Sequence, residues 1–212
     1  AVHFLKEEAL IPPLGLQSFQ LIEGPIQVEL ESSGRIRMFQ RPPQFFENHD
    51  PQVVLPLFGL DPRDHLESLP IQTVSTGTRQ MMIPVRDLEA LRRMKLKAQE
   101  YLEYRQRMNF FSSHLFCLQG LSPESLTFAR HPATPPRELE DAFTGSSTGN
   151  MGALLWKSGH LKEPFFIAQQ GHWMGRPGQA WVEIKGSREQ IQSVSVAGFA
   201  CTVVRGVLHL PE

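Results

Sequence analysis

The sequence has little of what usually places a protein quickly. Its 212 residues include only two cysteines, Cys117 and Cys201, which stand far apart and without ligand spacing. That argues against a disulfide framework or a cysteine metal site and leaves two buried, reduced thiols as the expectation. No apolar run approaches the roughly 18 residues of a membrane helix, and the first residues lack the basic-then-apolar order of a signal peptide. No membrane role is expected, and the cytoplasm is the expected compartment. Neither charge sign dominates: a formal net charge of −1 offers nucleic acid no general attraction, so none is expected as a partner. A glycine-rich phosphate loop, a His-Glu-x-x-His pattern and paired cysteines are also missing, so no cofactor and no metal are expected. What is present, 41% apolar and 20% charged residues, fits a globular chain of one large or two small domains rather than disorder.

One stretch stands out. Glu140-Asp-Ala-Phe-Thr-Gly-Ser-Ser-Thr-Gly-Asn-Met151 sets two acids before a run crowded with Gly, Ser and Thr. Met151, Leu154 and Leu155 then fall on one face of a helical period, which predicts a tight loop feeding a mostly buried helix. Thr144, Ser146 or Ser147 can cap it. The unpaired N–H groups and positive dipole end of such a terminus attract carboxylates or phosphates. A plain cap is the ordinary explanation of such a run; Asp141 just before the turn, with a hydroxyl five residues later, makes chemistry worth weighing.

In chain order, residues 1–7 read as the last turns of a helix, and 11–15 as a loop. Strands are predicted at 18–22, 26–30 and 35–39, separated by Gly-containing turns, with Ile26, Val28, Leu30, Ile36 and Met38 on the buried face. Gln40–Gln44 ends this meander, Phe45-Phe46 read as core or loop packing, and 51–59 as a loop or short element. Asp61-Pro62 reads as a cap with Pro at the first helical position, opening a short helix to Ser68. Strands are predicted at 70–74 and 80–85. Residues 86–104 give the longest amphipathic signal, either one helix or two with a break near Lys95. Its basic flank is interspersed with glutamates and reads as a solvated face. Further strands are predicted at 113–118, 125–130, 164–169, 179–184, 191–196, 201–204 and 207–210. His131 is the histidine nearest the acidic loop; a wall or loop role is the simpler reading and an acid–base role the sharper one. Gly171, Gly175 and Pro177 shape a turn, within which Arg176 either holds the loop or contacts a carboxylate.

The stretch Glu140–Ser146 resembles the Glu-Asp-Pro-Ala-Thr-Gly-Ser signature of the phenazine-biosynthesis PhzF-like family, relatives of diaminopimelate epimerase. Ser75-Thr-Gly77 with Met81–Val85, Gln170-Gly-His-Trp-Met-Gly-Arg-Pro177 and Val196–Val203 with Gly206 resemble further family segments in order. Ala142 stands where the family usually has Pro. The resemblance implies an α+β, diaminopimelate-epimerase-like duplicated fold, each domain a curled β-sheet or barrel around a central helix. It divides the chain into 1–86, the remainder of an N-terminal domain, and 87–212, a C-terminal domain whose closing strand returns to the first. The family's opening third, with its catalytic glutamate, has no counterpart here, so the first domain is expected to be incomplete and to need a separate N-terminal fragment as partner. A homodimer is a further implied partner.

The resemblance implies a cofactor-independent isomerase or epimerase that moves a proton at carbon in a small carboxylated metabolite. Asp141 and Ser146 are its candidate catalytic residues. Ser75, Gly77, Gly145, Ser147 and Arg176 are the candidate substrate-binding residues. Neither cysteine lies in the acidic loop, which argues against a thiol racemase, and no histidine is placed by motif to activate Ser146 as a hydrolase nucleophile. The alternative from a different class is a non-catalytic small-molecule-binding or regulatory protein that retains the cleft.

Overall fold

The structure is a computed structural model and describes residues 2–21, 24–133 and 140–206. The elements run α1 (Val2–Glu7), β1 (Gly15–Leu21), β2 (Gly24–Leu30), β3 (Ile36–Gln40), β4 (Gln44–His49), α2 (Pro51–Leu57), β5 (Ile71–Ser75) and β6 (Arg79–Pro84). They continue as α3 (Leu88–Arg93), α4 (Ala98–Met108), β7 (Ser112–Cys117), β8 (Thr127–Arg130), α5 (Gly145–Lys157), β9 (Phe165–Gln170), β10 (Gly178–Gly186) and β11 (Ile191–Gly198). The hydrogen-bonded order is β1-β2-β3-β11-β10-β9-β8-β7-β6-β5-β4, one ladder of eleven strands.

This corrects the expected fold class. The strands do not form two duplicated barrels, each curled around its own helix. The ladder is open, with β1 and β4 at its ends. The physical reason lies in the central strands. β7 is buried at every position and β6 at all but its first, and their side chains divide by alternation between two cores. Met81, Ile83, Leu115 and Cys117 join one cluster with Val54, Leu55, Phe58, Leu91 and Tyr101. Met82 and Phe116 join the other with Met151, Leu154, Leu155, Phe166 and Val182. A strand that is apolar on both faces needs a layer on each, as in sheets built from helical crossovers. Here α2–α4 cover one face and α5 the other, whereas curling around a single helix would bury only one face.

The crossovers also explain the pairing. β6 and β7 are parallel and are joined through α3 and α4; β8 and β9 are parallel and are joined through α5. The remaining described ladders are antiparallel. The 86–104 signal resolves into two helices, broken at 94–97, as one of its two readings allowed. Asp87 caps the first, its carboxylate accepting from the Ala90 N–H at 2.8 Å. Asp61 and Asp64 form the expected cap at Pro62, but the helix is only a 3-10 turn ending at Asp64. β4 was not anticipated, because its run opens on glutamine after two prolines. It carries Phe45 and Phe46 beneath cations, Lys157 Nζ lying 3.8 Å and the Arg79 guanidinium 3.9 Å from the ring centres.

The chain clusters into two compact units, Ala1–Met38 with Ala197–Glu212, and Phe39–Val196. In the first, β1 and β2 form an antiparallel pair in which Val28 and Leu30 are buried, while Leu16 and Leu21 of β1 are exposed. Helix α1 buries none of its residues, and Arg205 pairs with Glu7 and Glu8. Residues 201–206 form no strand, contrary to expectation: Val203 and Val204 are more than four-fifths exposed, and an apolar run without a strand to pair has no ladder to join. Cys201 is likewise exposed rather than buried, while Cys117 is buried as expected. The end of the first predicted strand at Ile22, the approach at 134–139 and the predicted strand at 207–210 lie outside the described residues.

Candidate functional site

All the candidate residues lie in the unit Phe39–Val196, four of them on α5 or the loop that leads into it. This helix is buried from Ser147 to Leu155, and two glycines let it sit that deeply. A Cβ at Gly152 would meet Val182 at 2.9 Å, and one at Gly149 would lie 1.9 Å from the Gln40 carboxamide oxygen. Gln40 in turn donates from Nε2 to the Gly145 carbonyl at 2.9 Å, tying the first turn to β3.

Thr144 occupies the cap position but makes no side-chain cap bond, because its hydroxyl donates to Asp141 Oδ2 at 2.6 Å. The opening N–H groups of α5 therefore receive nothing from their cap. The Asp141 carboxylate is exposed, braced at its base from two directions. Its N–H donates to the His131 carbonyl at 2.9 Å, and its own carbonyl accepts from Gln170 Nε2 at 2.7 Å. Gln170, almost fully buried, also accepts from the Thr144 N–H at 3.1 Å. One glutamine at the end of β9 thus fixes both ends of the turn. Glu140, by contrast, is spent structurally, paired with the Arg130 guanidinium.

The helix is joined to β5 and β6 by a buried amide. Asn150 Oδ1 accepts from the Thr76 N–H at 2.7 Å, and its Nδ2 donates to the Val74 carbonyl at 3.0 Å, the Thr78 carbonyl at 3.2 Å and Gln80 Oε1 at 2.8 Å. Gln80 Nε2 then donates to Ser146 Oγ at 3.3 Å and Ser112 Oγ at 3.2 Å. This network holds the bend from 75 to 78. There Ser75 Oγ accepts from the Gly77 N–H at 3.2 Å, and Gly77 adopts φ +153°, with open space where a Cβ would be. Ser75 and Gly77 line a cleft of about 380 Å³ with Arg41, Pro42, Pro43 and Gln44.

The structure therefore gathers Asp141, Gly145, Ser146 and Ser147 at the helix start and places Ser75 and Gly77 on a cleft wall, linked through Gln80 and Asn150. Arg176 is exposed, and its backbone N–H closes the turn onto the Gly171 carbonyl at 3.1 Å. That turn backs the acidic loop closely: a Cβ at Gly171 would lie 2.4 Å from the Ala142 carbonyl oxygen. Trp173 packs on Phe128 at 4.4 Å between ring centres, under the Arg92 guanidinium, and so belongs to the core edge.

Ser147 Oγ stands 3.4 Å from His131 Nδ1, which in turn faces His114 Nδ1 at 3.2 Å. Both rings are buried. Burial pushes His131 down to about 4, against the opposing pull of Asp141, and holds His114 well below the ordinary histidine value. Sequence reasoning missed His114, Gln80 and Gln40; Asn150 and Gln170 were visible only as parts of motifs. Among the described residues no group of three or more His, Cys, Asp and Glu side chains is placed to hold a metal ion. No described helix is long and apolar enough to cross a membrane.

The unit Phe39–Val196 thus holds an exposed carboxylate, a buried helix whose cap residue makes no side-chain cap bond, and a small cleft. The chain belongs to the phenazine biosynthesis-like protein family, whose model matches residues 25–206. It is 29% identical over 189 residues to the uncharacterized isomerase YfhB of Bacillus subtilis, covering 87% of this chain and 64% of that protein. It is 30% identical over 173 residues to an uncharacterized isomerase of Mesorhizobium japonicum, covering 76% and 55%. The chain thus spans less than two thirds of these curated relatives. Among solved structures it is similar to a Bacillus anthracis phenazine biosynthesis protein of the PhzF family, with TM-score 0.81, 24% identity and coverage of 93% of this chain and 70% of that one. A predicted epimerase from Pseudomonas aeruginosa matches with TM-score 0.78 and 22% identity over 94% of this chain and 68% of that one. These two likenesses concern the fold.

Proposed function

We propose that this chain is part of an isomerase that moves a proton at carbon in a small carboxylated metabolite, without a cofactor. The observation that carries the reading is the Asp141 carboxylate. It is held in place through its backbone by His131 and Gln170 while its oxygens remain exposed beside the open start of α5. The isomerase names of the curated relatives supply the reaction class.

Proton abstraction beside a carboxylate needs a positioned carboxylate or amine, donors for the enolate-like charge, and a second group to return the proton. In this reading Asp141 handles one proton. The N–H groups of Gly145, Ser146 and Ser147 and the Ser146 hydroxyl receive the substrate carboxylate or the developing oxyanion. Ser75 and Gly77 line the pocket, and the exposed Arg176 offers a fork for a second carboxylate. The second proton-handling group is assigned to the part of the family pattern that this chain does not cover, as is a homodimer contact to the remaining surface.

The non-catalytic binder remains the second reading, and one contact favours it: Asp141 already accepts the Thr144 hydroxyl, as a purely structural turn would. The test separates the two. In the full-length protein, supplied with candidate carboxylates in deuterium oxide, Asp141→Asn should leave folding intact and cut deuterium incorporation at the substrate carbon by about 10²–10⁴. A lowered melting temperature with exchange unchanged assigns Asp141 to the turn alone.

A further inference from the structure

The pair His114–His131 is not used in the mechanism above, yet His131 meets Asp141 through its backbone and the first turn of α5 through its ring. His131 sits just after β8 and accepts the Asp141 N–H through its carbonyl, while its ring lies against Ser147 in the first turn of α5. His114, on β7, faces that ring Nδ1 to Nδ1 at 3.2 Å, with ring centres 5.5 Å apart.

Two Nδ1 atoms at that separation hold one proton between them. Two N–H groups would aim their hydrogens at each other, and two bare lone pairs would repel. Which ring carries the proton follows from the far side of His114. Its Nε2 is buried and meets no hydrogen-bond partner. Were His114 the acceptor at Nδ1, its proton would sit on Nε2 as a buried donor with nothing to receive it. An orphaned N–H is rarer in folded proteins than an underused lone pair, because a buried donor without an acceptor forfeits its hydration with no return. His114 therefore donates from Nδ1, and His131 accepts at Nδ1 and keeps its own proton on Nε2.

We propose that His114 and His131 form a neutral pair sharing a single Nδ1 proton, and that this pair positions the Asp141–Ser147 turn, His131 being the positioning residue. The charges around it are accounted for. Asp141 approaches from the loop, and Arg130 from β8 is neutralised by Glu140. α5 contributes the uncharged Ser147, and β7 the neutral His114. A second proton would set two N–H groups face to face in a buried space, so the pair opens on charging rather than becoming an ion. The pair itself is independent of the catalytic reading; only its consequence for turnover rests on it.

The test uses ligand-free, full-length protein labelled with nitrogen-15 at histidine. Long-range proton–nitrogen spectra between pH 5 and 8 should show two rings that stay neutral at pH 5.5, one protonated at Nδ1 and one at Nε2, with His114→Asn and His131→Asn supplying the assignments. Either ring charging with a midpoint near 6.5, or both rings in the Nε2-protonated form, overturns the shared proton. Positioning is read separately by hydrogen exchange. His131→Phe fills the space without an acceptor and should speed exchange of the Asp141 amide at least about tenfold, while His131→Asn, whose Oδ1 falls near the lost Nδ1, should restore most of the protection. Equal protection in both variants removes the positioning role, and a variant that fails to fold leaves the wild-type spectra to decide. Since no arm uses substrate, a negative result here is distinct from failure of Asp141→Asn to affect deuterium transfer.

Discussion

The two faces of the sheet in the unit Phe39–Val196 solve the same problem differently. Beneath α2–α4 the buried polar groups close in small sets. Tyr101 accepts from the Ser113 hydroxyl at 3.2 Å, and His49 bridges Tyr104 and Thr73 at 2.8 Å each. Beneath α5 they form a chain: Thr76 to Asn150, Asn150 to Gln80, and Gln80 to Ser146 at the helix start. The closed sets stabilise the face on which they sit. The chain ends in groups that face a cleft and an exposed turn, so a change made in the core on that side is transmitted to the site. Buried networks of this kind couple their members beyond the pairwise sum.

The comparison breaks most readily at Asn150. Asn150→Ala leaves the Thr76 N–H, the Val74 and Thr78 carbonyls and Gln80 without their partner in a region with little access to water. The expected loss is about 3–4 kcal/mol in denaturant unfolding, at the upper end for one buried side chain. It should be accompanied by faster hydrogen exchange at Ser146 and Gly77, which no change on the α4 face should produce. If exchange at those two amides is unaltered, the chain does not carry coupling to the site.

The histidine pair sharpens it next, through pH. His131 falls from an ordinary 6.5 to about 4 in the folded protein, mainly by burial. A base whose folded value is depressed binds more protons unfolded than folded between those values, so stability rises with pH across that window. Its contribution is complete above about pH 6.5 and is lost progressively down to about pH 4, on the order of 3.5 kcal/mol in all at roughly 1.4 kcal/mol per unit. His131→Phe should flatten this slope in unfolding experiments at a series of pH values. A wild-type slope retained by the variant would assign the effect to other groups, among them the buried His49 of the opposite face.

How much of this was legible follows the same division. α5 and its loop were visible because a buried helical period and a Gly/Ser/Thr run are local signals, and the turn at Gly171–Gly175 because both glycines adopt positive φ. The two-faced burial of β6 and β7 was partly written in the consecutive apolar residues Met81–Ile83 and Leu115–Cys117, yet the resemblance drew the fold toward barrels around single helices. The polar chain was not legible at all. Asn150 and Thr76 lie 74 residues apart, and Gln40 and Gly145 lie 105 apart. Nothing in the spacing of a glutamine on a strand announces a partner at that distance. His114 was invisible for the same reason, since within its strand it reads as one more polar residue after Ser112 and Ser113.

The smallest expected effect tests the quiet face. Tyr101→Phe keeps the ring against Phe58 and Phe110, at 5.6 and 6.1 Å between centres, and removes only the hydroxyl. What is left behind is the Ser113 O–H, fully buried and without its acceptor, worth about 1–2 kcal/mol. Ser113→Ala in the same background removes the orphan and should recover most of that loss, because deleting both partners of a buried bond costs less than deleting one. Thermal unfolding of the two single variants and the double variant measures the coupling directly. The amides of Asp141, Ser146 and Gly77 should keep their wild-type protection in all three. Altered protection there would mean that the α4 face is wired to the site as the α5 face is, and the distinction between closed sets and an open chain would fall.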